Sequence, residues 1–411
     1  MEKMIAKEKH SINKIAVLVA ISCVLQIAES LIPHPIPGLR LGLANVMTLI
    51  ALATLGFGPA LEVAVLRTIL SSFIMGTFMS PAFILSFSGA LVSTLIMGLL
   101  YWLSGFYRHC RLSIVGISIL SALSHNLVQL CLAYLILVRH KGIFVFLPWL
   151  CIGAVFMGWL TGAVAGSVCL KLKERGQPAP GIQKNQIEYP SLLLRNFYPG
   201  DSFLHRLAAD IKIVIMLLVS FIVLISTNLW LYLFLSLLLA VATLISNAPA
   251  DFLLIKMKKS ASLILTAFLF PLFFNSGRHI LLNMSWFRIT SEGLSLGAIF
   301  VFRLIFLILA SSLLVRTTSP EDLTRGLGRV LSPLRFAGFS QKRIAAILSL
   351  SWSVIPASWE IARDALRAAD LKRVRSPRNL VPVLSDIVAA LYLDTDTRVH
   401  REFIDYVNKA V

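Results

Sequence analysis

Charge is scarce in this sequence. Asp, Glu, Lys and Arg make up 14% of 411 residues, against 57% hydrophobic residues and a mean hydropathy of +0.82. Ordinary soluble domains carry roughly 25% charge, so the composition excludes one and points to a polytopic membrane protein. Acid is scarcer than base, 20 Asp and Glu against 38 Lys and Arg, a net +18. In a soluble protein that excess would suggest nucleic acid, but here the basic residues lie mostly between apolar runs. Positive-inside bias accounts for them better, and no nucleic-acid partner is expected. The five cysteines, Cys23, Cys110, Cys131, Cys151 and Cys169, show no CxxC spacing and four fall in apolar runs, so neither a metal site nor a disulfide framework is read. The phosphate-cradling GxxxxGK[ST] loop is absent. A small-residue cleavage site is also missing after the basic N-terminus, and the apolar run continues to Ile32, which reads as a retained first span.

What the sequence does have is apolar runs of the length a bilayer needs, about 20 residues. Six occur first, near 12–32, 41–56, 60–76, 82–103, 113–138 and 143–170. Residues 177–199 follow, with Pro178, Pro180, Gly181, Pro190 and Pro199 and no apolar period, and read as a linker. Four more runs lie at 211–227, 229–247, 260–275 and 294–315. Even span counts, with Lys3, Lys7, Lys9, Lys14, Arg108, Arg111, Lys171, Lys173 and Arg175 between runs, place both termini and the linker in the cytoplasm; Arg139, His140 and Lys141 are the exception. The expected fold is therefore all-α: about ten transmembrane helices in units 1–170 and 201–411, joined by a 171–200 linker.

The stretch 316–376 is helical in pattern and charged. Ser319 suits an N-cap, with Pro320 at the first helical position and Glu321 and Asp322 at the positive end of the dipole. Leu323, Leu327, Val330, Leu331 and Leu334 then recur at helical spacing, with Arg325 and Arg329 on other faces. A second helix is expected beyond Pro356, with Trp359, Ala362, Leu366 and Ala369 on its seam and mixed charges elsewhere. These are either cytoplasmic arms that meet a partner or a solvated tail.

Polar groups inside apolar runs are costly in lipid and mark a cavity. The candidates are Arg40 and Asn45 at the outer end of span two, Arg67 in span three, and His125, Asn126 and Gln129 within little more than one turn of span five. Two arginines would favour a small molecule with an anionic group. Glu29, Glu62 and Arg303 read as structural, pairing or capping within the bundle. Small-xxx-small faces at Ala16 and Ala20, and at Gly158, Gly162 and Gly166, let helices approach closely. Packing within one bundle and contact between units are both open for them.

The segments Pro37–Asn45, Leu55-Gly56-Phe57, Leu66-Arg67, Ser86-Phe87-Ser88-Gly89 and His125–Gln129 resemble the family labelled Gx transporter or heptaprenyl diphosphate synthase component I, which is similar to the substrate-binding S components of energy-coupling factor (ECF) vitamin transporters. The region from about 200 onward resembles the CbiQ-like T component of the same transporters. It does so at His205-Arg206, Asp210, Lys212, Thr290–Leu294, Arg303, Thr317–Leu323, Pro333-Leu334 and Ile355-Pro356. The resemblance implies a membrane subunit of an ECF-type ABC importer in a prokaryotic cell membrane, with substrate capture in 1–170 and coupling helices at 316–411 that dock ATPase subunits. It also implies that Ala16 and Ala20 form the face between the two units. The family's two Ala-Arg-Gly coupling positions read Leu371-Lys372-Arg373 and His400-Arg401-Glu402 here, which makes Lys372, Arg373 and Arg401 the ATPase-coupling candidates.

With no phosphate loop the chain is expected not to be an enzyme: ATP would be hydrolysed by partner subunits, and no cofactor or metal is expected on this chain. Diphosphate-synthase chemistry would need aspartate-rich sites, and Asp394-Thr395-Asp396 is too sparse. The expected partners are ATPase subunits, membrane lipid and a small-molecule substrate, vitamin-like or metal-related. The competing reading is an ATP-independent membrane binding or accessory protein linked to isoprenoid or quinone metabolism.

Overall fold

The computed structural model describes residues 2–31, 42–106, 112–138, 141–174, 197–246, 255, 257–258, 260–274, 277, 279–284, 287–331, 340–368 and 377–410. The first bundle is built round helix α1, Glu2–Leu31. From Ile15 to Val24 no side chain is more than 1% exposed, as expected of a helix apolar on every side. Helices α2, Leu43–Leu55, and α3, Phe57–Met75, pack against it. The turn into α2 uses Gly42 at φ 71°, a left-handed position, and Glu29 Oε1 accepts the Gly42 N–H at 2.8 Å. Glu29 is thus a buried cap, the structural role its position suggested.

Helix α4, Pro81–Phe106, is followed by α5, Ile114–Leu132, whose last turns widen into a π-helical segment, Ala133–Val138. A 3₁₀ segment, Lys141–Phe146, leads into α6, Leu147–Glu174. The glycine face of α6 lies on α5: a Cβ on Gly158 would stand 2.6 Å from Ile119 Cα, and one on Gly162 2.7 Å from Val115 Cα. Those two glycines serve packing inside the bundle.

After a short turn, Phe203–Arg206, come α7, Ala209–Ile225, α8, Leu229–Ile245, and α9, Ala261–Phe274. A two-stranded antiparallel hairpin, β1 Ile280–Met284 and β2 Phe287–Thr290, delivers the chain to α10, Ser291–Arg316. The hairpin has no counterpart in the sequence reading. Thr290 caps α10, its Oγ1 accepting the Gly293 N–H at 3.1 Å. Among the described residues, three helices remain: α11, Pro320–Val330, α12, Gln341–Ala368, and α13, Pro377–Ala410.

The protein is all-α and polytopic. Among the described residues, seven helices are long and apolar enough to cross a membrane: Ser11–Glu29, Phe57–Met75, Pro81–Ser104, Ile114–Ile136, Lys141–Lys173, Ser291–Arg316 and Lys342–Arg367. The remaining expected spans are shorter helices of 13 to 17 residues. The last of the seven corrects the expectation for the arms. Instead of starting beyond Pro356, α12 runs unbroken from Gln341 through that proline. Its apolar seam, Ile344, Ile347, Leu348, Val354, Ile355 and Ile361, is buried, while the expected seam residue Leu366 is 44% exposed. Proline removes one N–H from the ladder, a loss small beside the burial of that seam on α1. The first arm is as expected: Ser319 Oγ accepts the Asp322 N–H at 3.1 Å, Pro320 opens α11, and Leu323 and Leu327 are buried. Leu334 and Ala369 lie outside the described residues.

Candidate functional site

The chemistry of this chain gathers where the first bundle meets the last helices. Helix α12 lies along α1, and α13 along both α1 and α6. Ala16 and Ala20 are fully buried. Ser351 Oγ of α12 lies 2.6 Å from the Ile347 carbonyl of its own helix and 3.1 Å from the Ala16 carbonyl, and Ala20 follows one turn later on the same face. Beside this seam, Glu62 of α3 receives a two-pronged bond from Arg343 of α12, Nε to Oε1 at 3.0 Å and Nη2 to Oε2 at 3.1 Å. Arg343 Nη2 also lies 3.4 Å from Ser11 Oγ of α1. At the other end, Lys171 of α6 donates to Ser385 Oγ at 2.7 Å and Asp386 Oδ1 at 2.8 Å of α13. Burial raises the phenol pKa of Tyr392 on α13, with Asp396 and Cys169 adding to the shift. Arg343, Ser351 and Asp386 were not singled out in the sequence, and Lys171 was read only as a basic residue between runs, because ion pairs between residues 281 and 215 apart leave no local spacing to read.

The candidate ligand residues form two groups. Arg67 is buried and donates from Nη2 to Asn45 Oδ1; its Nη1 lies 3.5 Å from Gln26 Oε1. On α5, Asn126 donates to the Leu150 carbonyl of α6 at 3.0 Å and Gln129 to the Leu85 carbonyl of α4 at 3.4 Å. The His125 ring packs on Gly89, where a Cβ would stand 2.8 Å from the imidazole. Helix α5 therefore aims these amides at the helices on either side of it. Arg40, Lys372 and Arg373 fall outside the described residues, and Arg401 lies on α13 with its side chain outside the described set.

A third cluster forms the elbow between α10 and α11. Lys212 of α7 is 7% exposed and donates to the Thr317 carbonyl at 2.8 Å and to Thr318 Oγ1 at 3.3 Å. These acceptors sit where α10 stops and would otherwise be left unsatisfied. Arg329 of α11 reaches Asp210 of α7 at 3.3 Å. A Cβ on Gly326 would stand 2.9 Å from Asp210 N, so only glycine permits this approach of α11 to α7. His205 closes the same region through Ser202 Oγ, 2.7 Å away, and the Tyr198 carbonyl, 2.9 Å away, and the Arg316 guanidinium lies 5.5 Å from the Tyr198 ring centre. Replacing Lys212 by Met is expected to cost roughly 1–3 kcal/mol, the penalty of leaving buried acceptors unmet. The readout is limited proteolysis of the purified protein. Faster cutting at 317–331 in Lys212→Met is expected, and a native digestion rate would refute this role.

A multi-pass α-helical membrane subunit, with helices that return from its last spans to grip its own first bundle, is the class of protein these features define. Residues 18–168 match the family described as heptaprenyl diphosphate synthase component I, and residues 200–391 match the family described as cobalt transport protein. The energy-coupling factor transporter transmembrane protein EcfT of Brevibacillus brevis is 31% identical over 201 residues, covering 47% of this chain and 76% of that protein. The EcfT of Listeria innocua is 30% identical over 183 residues, covering 44% and 69%, and that of Clostridium kluyveri 27% identical over 214 residues, covering 50% and 79%. The chain belongs to this family of energy-coupling factor transporter transmembrane proteins, and it is a membrane transport subunit rather than an enzyme.

Proposed function

We propose that this chain joins the capture and coupling parts of an ECF importer in one polypeptide. Residues 1–170 bind a small molecule from outside, 171–200 form a cytoplasmic linker, and 201–411 couple that unit to ATPase subunits supplied by other chains. The observation that carries the reading is the grip of α12 and α13 on α1, α3 and α6, made through the Ala16 carbonyl, Glu62 and Lys171. Arms that hold the capture unit and also dock ATPases would pass movement directly from one to the other. Isolation of the intact protein from native membranes tests this: P-loop ATPases should co-purify with it. Their absence would favour the ATP-independent accessory role.

Within this reading Arg401, with Lys372 and Arg373, is the contact to the ATPases. A helix end seated in a groove needs a directional, charge-assisted bond, which the planar guanidinium supplies. Arg401→Ala should remove the co-purifying ATPases, whereas Arg378→Ala should keep them. Equal recovery with both variants would remove the assignment.

The capture site in this reading uses Arg40, Asn45, Arg67, His125, Asn126 and Gln129. Support comes from the bond already joining Arg67 to Asn45, which presents a guanidinium held in place among buried helices. Compounds that stay with the purified protein can be identified by mass spectrometry. Their retention should fall about tenfold or more in Asn45→Ala and Gln129→Ala, as expected when one partner of a buried hydrogen bond is lost. Undiminished retention in both would sink the site.

A further inference from the structure

Among the described residues, two ion pairs cross from the first bundle to the last helices, and they run in opposite senses. At one site the first bundle supplies the acid, Glu62, and α12 the base, Arg343; at the other it supplies the base, Lys171, and α13 the acid, Asp386. The seam between them is mostly apolar, its Ser351 hydroxyl meeting only a backbone carbonyl that any helix offers, and apolar contact is non-directional. It cannot by itself tell one small-faced helix from another. Resting on the two-unit reading above, we infer that the Glu62–Arg343 pair determines which capture unit the coupling unit accepts, and that Lys171–Asp386 fixes the register in which it docks.

The two pairs differ in burial, and that divides their roles. Glu62 and Arg343 have side chains 9% and 20% exposed. Arg343 holds the carboxylate through both of its oxygens and touches α1 at Ser11 as well, so it reads two helices of the first bundle at once. A buried pair adds little net stability over an apolar replacement, but losing one member leaves a stranded charge and is strongly destabilising. That asymmetry is what selectivity requires: the matched unit gains little, and every unmatched one is penalised. Lys171 and Asp386 are 26% and 67% exposed, so water and salt screen them and their net contribution is small. Their value is positional, because a capture unit docked in reverse would set Lys171 against Arg343 and Glu62 against Asp386, like charge against like.

The full chain, carrying a protease site inserted within 175–196 and a tag on the coupling unit, is expressed, purified and then cut. The amount of first unit retained on the tag is measured. Native halves should stay together. Arg343→Glu and Glu62→Arg should each lower retention by about tenfold or more, the scale set by a stranded buried charge, and the two changes together should restore it. When cut native protein and cut doubly exchanged protein are mixed, each tagged unit should recover mainly the first unit bearing its own matching charge. Native retention in both single variants, a double variant that folds without recovering retention, or random reassortment in the mixture would each overturn the inference. Should the reversals reduce folding, the isosteric Glu62→Gln must still lower retention, and native behaviour there overturns it equally. Retention reports recognition between the units and ATPase co-purification reports the transport role, so the two readings can fail separately.

Discussion

Ala16→Trp combined with Ala20→Trp is expected to pull the first bundle off α12 in a protein that still inserts into the membrane. Ala16 and Ala20 have no exposed surface, and the Ser351 hydroxyl sits 3.1 Å from the Ala16 carbonyl. With no exposed surface at either position, a larger side chain has to displace the groups packed round it. Overpacking a filled core costs roughly 1–3 kcal/mol per site. Two indoles on successive turns of one face push in the same direction, so the seam opens instead of adjusting locally.

Glu62–Arg343 and Lys171–Asp386 lie at the edges of this seam and depend on its spacing. Opening it would break both bidentate prongs at Glu62. The expected result, in protein cut between the units after purification, is that less than about a tenth of the first unit remains with the tagged coupling unit, a scale that corresponds to about 1.4 kcal/mol or more. Ala16→Gly, which removes bulk, should retain the first unit at the native level. Native retention in the double tryptophan variant would show that this face is not what joins the two parts.

Much of this architecture could be read from the chain because lipid imposes a length on whatever crosses it. The run at 294–315 became the helix Ser291–Arg316, and the run at 229–247 became Leu229–Ile245. The start of α11 was legible for a different reason: Ser319 and Pro320 satisfy local requirements of a helix end that need no tertiary context. The path of α12 was not. Pro356 is a breaker by local rules, and only the buried seam on α1 overrides it. At the candidate capture site the grouping of His125, Asn126 and Gln129 was legible, but their directions were not. Residues 125 and 129 share a face and 126 stands about 100° away, so the side chains reach Gly89, Leu85 and Leu150 on two different helices. Glu62 was read as pairing or capping within its own bundle; it does pair, but with Arg343 at the far end of the chain, where no periodicity leads.

Arg303 gives the second large effect. It is 1% exposed in the middle of α10. Its Nε donates to the Tyr232 hydroxyl at 2.8 Å, Nη2 to the Ser226 carbonyl at 2.6 Å, and Nη1 to the Ile136 carbonyl at 3.2 Å, while the guanidinium lies 5.6 Å from the Phe300 ring centre. Ile136 belongs to the π-helical end of α5, so one side chain binds α10, the α7–α8 turn and the first bundle together. The Tyr232 hydroxyl reinforces the node with its one proton, shared between the carbonyls of Val223 and Ser226 at 2.9 and 2.6 Å. Arg303→Met would take the guanidinium from these buried groups and leave the Ser226 carbonyl only the Tyr232 hydroxyl, at roughly 1–3 kcal/mol in all. The midpoint of thermal unfolding in detergent should drop accordingly. Arg303→Lys should recover little of the loss, since one compact ammonium cannot reproduce the planar fork that spans three acceptors. Tyr232→Phe should cost less by itself, and the Arg303→Met, Tyr232→Phe double variant should cost less than the two single losses added, because both residues serve one network. An unfolding midpoint in Arg303→Met equal to the native one, or full recovery in Arg303→Lys, would show that the fork is not what holds these three segments.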